Sequence, residues 1–134
     1  RGILHAAFTF TMGAMLFERL STWASERGGS VRWTGAGLTQ RDLQRARFRC
    51  LEEVESVRYS IQDLEYARWH LKWLTGSGQR LVKQLAEAIE QVEQSIAPHR
   101  KAVLASKFGP ALRRHIKELQ QARQTYGPVR LGKV

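Results

Sequence analysis

A single apolar seam between Leu43 and Leu71 restricts this chain's fold more than any other feature. From Cys50 the apolar residues Val54, Val57, Ile61 and Leu64 follow in alternating steps of four and three. Leu43 lies one heptad before the run and Leu71 one heptad after it, with Arg47 and Arg68 at the intervening seam positions. Such spacing keeps one face of a helix apolar over many turns. Thr39 suits the N-cap, and Asp42, three residues on, completes a variant of the capping box. The expected helix runs to about Leu74 and stops at Thr75-Gly76-Ser77-Gly78. At about 35 residues it would be some 50 Å long. A narrow seam of that length needs a facing helix from this chain or another. The two arginines in the seam suggest acidic residues opposite.

The next stretch supplies a partner. Leu81, Leu85, Ile89, Val92 and Ile96 line one face, while Glu87, Glu90 and Glu93 point away. The Gly76–Gly78 turn predicts an antiparallel hairpin. Pro98 ends or kinks this helix, and Val103 continues the count from Ile96. After Phe108-Gly109-Pro110 comes a basic helix with Leu112, Ile116, Leu119 and Tyr126 as its stripe. The expected class is therefore all-α, without repeats or β-alternation. It comprises an apolar N-terminal helix (1–24), a Gly/Ser-rich loop (25–38), and a helical hairpin with a basic C-terminal helix (39–134).

The N-terminal segment is ambiguous. Gly2–Phe17 holds sixteen residues without a formal charge, and Glu18, Arg19 and Trp23 follow. A bilayer core needs roughly 20 helical residues. Extension to Ala24 supplies the length, with Glu18 and Arg19 snorkelling and Trp23 at the interface. Membrane contact would then fall to Phe8, Phe10, Met12, Leu16, Phe17 and Trp23. His5, Thr9, Thr11 and Gly13 weaken a free-standing span, although Gly and Thr are what helices use to pack closely in membrane assemblies. The alternative is a buried helix of a non-membrane domain. In the loop, Trp33 is expected to anchor on a surface. The tail after Gly127-Pro128 is either gripped by a partner or loose.

Charge narrows the partners. The chain has 134 residues and a net charge of +10. Residues 76–134 carry eleven basic against four acidic side chains. Such a surface attracts RNA, anionic lipid or an acidic protein. Two groups of side chains are placed to touch a polyanion or lipid headgroups. One is Arg68, Trp69, Lys72 and Trp73, where cations interleave with tryptophans. The other is Arg113, Arg114 and Lys117. Packing of both tryptophans against a neighbouring helix or subunit is the competing expectation.

No chemistry is readable. Phosphate loops, nucleophile elbows and metalloprotease motifs are missing. His5, His70, His99 and His115 stand apart from one another and from Cys50. No enzyme activity, cofactor or metal is therefore expected, and a single cysteine excludes an internal disulfide scaffold. Arg1 in place of Met suggests either a removed presequence, as on mitochondrial import, or a trimmed chain. The expected function is a non-catalytic accessory subunit of a mitochondrial inner-membrane complex, such as a respiratory complex or ATP synthase. Its partners are other subunits and lipid, with the C-terminal part on the matrix side. The alternative is a basic RNA-binding structural protein of an organellar ribosome in the matrix.

Overall fold

The computed structural model describes residues 2–26, 32–33, 36–37 and 39–126. Nearly all of these are helical. Helix α1 spans Gly2–Glu26, α2 Gln40–Tyr66, α3 Gly76–Ile96, α4 Arg100–Ala105 and α5 Gly109–Tyr126. Two strands of two residues, β1 (Arg32–Trp33) and β2 (Ala36–Gly37), pair antiparallel between α1 and α2. The side chain of Trp33 and the tail from Gly127 lie outside the described residues.

Helix α2 is the hub, and each neighbour's direction can be read from a few contacts. Arg47 reaches Ser25, and the Cys50 thiol donates to the Ala14 carbonyl, so α1 runs antiparallel to α2. Glu93 of α3 meets Arg58, and Arg100 at the start of α4 meets Glu55, so the chain from α3 into α4 also runs antiparallel to α2. Ser56 meets His115 and Arg123 meets Asp63, which sets α5 parallel to α2 at an offset of 59 to 60 residues. Helices α1, α2 and α3 thus form a three-helix core, with α4 and α5 covering another flank of α2.

Thr39 begins α2 as expected, since its hydroxyl accepts from the Asp42 amide while Asp42 takes the Thr39 amide. The far end differs from the expectation. Helix α2 does not reach Leu74. At Ala67–Leu71 it widens into a π-helical turn, and Lys72 then adopts a left-handed conformation with φ 51°. Gly76 and Gly78 do not form the turn. They lie in the first turn of α3, where the Thr75 hydroxyl caps the Gly78 amide at 3.2 Å.

Leu43, Cys50, Val54, Val57 and Leu64 are buried, and Ile61 packs partly buried against the same core. Leu71 falls in the π turn and stands outside that core. Leu51, one position off the seam, is also buried, because a second flank of α2 faces α4 and α5. Among the described side chains, the seam arginines find no acid on a facing helix. Arg47 donates to the Ser25 hydroxyl, and Arg68 pairs with Glu65 of its own helix.

The N-terminal expectation needs correction. Helix α1 has 25 residues, which is sufficient length. Even so, among the described residues no helix is long and apolar enough to cross a membrane. Glu18 does not snorkel. Its carboxylate accepts from Thr22 and from Ser95 of α3, both at 2.8 Å.

Candidate functional site

Three surfaces could carry a function, and each follows from how its helix is held. The first is α1. Its buried residues are Ala7, Thr11, Ala14, Ser21 and Ala24. They are small, so the α1 backbone lies close against α2. The Thr11 hydroxyl is satisfied by the Ala7 carbonyl at 2.7 Å. A Cβ built on Gly13 would stand 3.3 Å from Cδ of Glu53. Four large apolar residues point the other way. Phe8 is 45% and Leu16 57% exposed, and Met12 and Met15 are exposed with them. These four lie at i, i+4, i+7 and i+8, one helical stripe. Of the residues expected at a membrane, Phe8, Met12 and Leu16 are on this face. Phe10 and Phe17 instead pack against the core, and Trp23 is half-buried. Met15 belongs to the face and was not anticipated.

The second surface is the π turn. Trp69 is 66% and Trp73 53% exposed, so neither packs tightly within the chain. Although four residues apart, they do not share one helix face, because the left-handed Lys72 breaks the register between them. Trp69 instead donates its indole N–H to Glu65 at 3.0 Å and lies beneath the Arg68 guanidinium at 4.6 Å. Tyr66 packs against His70 with ring centroids 4.7 Å apart and the rings tilted by 31°. π turns are uncommon and often mark functional positions. Here the turn rotates two indoles outward at the end of α2.

The third surface is the basic end where α2 begins. The parallel offset of about 60 residues brings Phe48 against Phe108, stacked with centroids 5.1 Å apart. Lys107 stands over the Phe108 ring at 5.1 Å. With Arg41, Arg45, Arg49 and Glu52 these rings line an open groove. The sequence reading passed over it. Arg41, Arg45 and Arg49 at spacings of four were a readable stripe, but nothing local placed Phe108 beside them.

The expected cationic strip on α5 is divided. Arg113 donates to the Leu104 carbonyl at 3.1 Å and so braces the α4–α5 elbow. Arg114 and Lys117 are exposed and make no ion pair among the described residues. Arg113 lies level with Glu53 of α2, whereas Arg68 is fifteen residues further along, roughly 20 Å away. The two expected cationic groups are not brought together.

Buried polar groups set the electrostatics between these surfaces. Burial, with Glu18 and Glu53 nearby, pushes the Cys50 thiol up to about 12, so it stays protonated and unreactive. Burial also raises the Glu53 carboxyl, while Arg49, 2.9 Å away, pulls it back. Desolvation lowers His99, and the nearby Arg47 charge adds to it. Among the described residues no three His, Cys, Asp or Glu side chains gather to hold a metal. Compared with known proteins, the chain matches no family model, no curated protein and no solved structure.

Proposed function

We propose that this chain is a non-catalytic structural subunit of a larger assembly and docks through α1. The observation behind this reading is the inverted polarity of α1. Its small residues face the protein's own core, and Phe8, Met12, Met15 and Leu16 face out. An isolated domain gains most by burying its largest apolar side chains. Phe10 and Phe17 pack partly buried against the core, but a helix that also displays Phe8, Met12, Met15 and Leu16 in one stripe is shaped for a second contact. Small residues at the inner contact with large apolar residues outside is also the arrangement of helices in membrane assemblies. The setting we propose is therefore a mitochondrial inner-membrane complex, such as a respiratory complex or ATP synthase. In it α1 lies against a neighbouring subunit or lipid without crossing the bilayer, and the basic remainder faces the matrix.

Native-gel sizing of a mild-detergent extract of organelle membranes tests this. The wild-type chain should migrate with a large complex. The Phe8→Glu/Leu16→Glu variant should fold normally and migrate alone. A wild-type chain that migrates as a monomer in the same extract contradicts the reading.

A second reading, a structural RNA-binding protein of an organellar ribosome, is favoured by the exposed Trp69 and Trp73. Bases stack readily on displayed indoles beside cations. Nuclease treatment should then shift the native size of the chain.

A further inference from the structure

We infer that the groove between the first turns of α2 and the α4–α5 elbow binds the phosphate backbone of single-stranded RNA. This deepens the second reading and is independent of docking through α1. It also names a site away from the tryptophans of the π turn.

The groove is open, with a volume of about 420 Å³. One wall is the Arg41–Arg45–Arg49 stripe of α2. Residues four apart on a helix sit about 6 Å from each other, so two guanidiniums follow one another along the groove. Guanidinium is the side chain best matched to phosphate, because its fork donates in pairs. The opposite side is the Phe108 ring with Lys107 above it. The floor is the stacked Phe48–Phe108 pair.

Charge pairing divides the arginines into two kinds. Arg49 is engaged, holding Glu52 at 2.8 Å and Glu53 at 2.9 Å. The one carboxylate lining the groove is thereby offset from within the protein. Arg41 and Arg45 are exposed and make no ion pair among the described residues. Arg41 also stands in the first turn of α2, where a cation is disfavoured, and Asp42 is a carboxylate whose charge both arginines feel. A polyanion in the groove relieves the remaining mutual repulsion. A strand suits this shape better than a membrane does. The cations line an open groove and its aromatic rings are stacked on each other within it, whereas a lipid surface is met by protruding apolar residues.

The test uses the intact chain and a short fluorescein-labelled oligouridylate, read by anisotropy over a series of salt concentrations. The wild-type chain should bind. Arg41→Gln/Arg45→Gln should weaken binding about tenfold and lower the slope of log K against log salt by about 1.4, or 0.7 for each lost phosphate contact. Arg80→Gln/Lys83→Gln removes equal charge from α3 and should change affinity less than twofold. Lys107→Gln is a second probe of the groove and should lower the slope by about 0.7. The proposal is overturned if the Arg41/Arg45 variant binds like wild type, or if the α3 variant loses as much. Binding to vesicles containing phosphatidylglycerol but not to the oligonucleotide overturns it as well.

Discussion

Gly109 shows how a single atom can set a helix direction. A Cβ there would lie 2.1 Å from the Leu104 carbonyl oxygen, an overlap that only a backbone shift could relieve. The elbow around it is fully bonded. The Gly109 amide donates to the Ser106 carbonyl at 2.9 Å, and the Ser106 hydroxyl donates to Val103 at 2.7 Å. Gly109→Ala should therefore cost about 2–4 kcal/mol in urea denaturation, as overpacking against backbone does. His99 provides a pH test. Burial, and then Arg47, lowers its folded pKa below the ordinary 6.5, so the folded state prefers neutral imidazole. That stability is present above pH 6.5 and is lost as pH falls through the lowered value. Melting temperatures measured downward from pH 7 should fall more steeply for wild type than for His99→Gln. At this scale the sequence was partly legible. The Thr39–Asp42 cap and the burial of Cys50 follow from local pattern. The need for glycine at 109 does not, because the oxygen it avoids belongs to another helix.

Among the elements, α1 was the hardest to read. Sixteen uncharged residues allow either a membrane or a core, and composition does not say which face is turned in. The structure separates the faces. Ala14 is fully buried against α2, so Ala14→Glu should cost about 3 kcal/mol or more by burying an unpaired charge. Gly13→Leu should likewise disturb Glu53. Both changes therefore report on folding. Phe8→Glu/Leu16→Glu changes only the outer face and should leave the thermal midpoint within a few degrees of wild type. Thermal melts of Ala14→Glu and Phe8→Glu/Leu16→Glu side by side distinguish the inner contact from the outer. The α2 seam was legible from Leu43 to Leu64 because its spacing is strict. Its end was not. The π turn and the left-handed Lys72 depend on how α3 is reached, and no periodicity records that.

At the scale of the whole molecule, the arrangement depends on α5 returning parallel to α2. Arg123 donates two hydrogen bonds to Asp63, at 2.8 and 2.9 Å, and lies over the Tyr59 ring. Both partners are largely shielded from solvent. Arg123→Ala should cost about 1–3 kcal/mol, the range for charge-assisted hydrogen bonds at partly buried sites. Urea denaturation measures the loss, and Asp63→Asn should reproduce most of it. None of this was readable from charge counts. Arg123 counted as one more cation in a basic half, yet it spends its charge inside the fold. Arg41 and Arg45, in the less basic half, face solvent, as do Arg114 and Lys117. On the proposed docking, the outer face of α1 is covered in the native assembly. Met12 and Met15, the chain's two methionines, both lie on that face and report on it directly. Peroxide footprinting read by mass spectrometry should find both sulfurs oxidised in the isolated chain. In the native-size fraction, kept in the same detergent, both should be protected. Equal oxidation in the two samples would contradict the account.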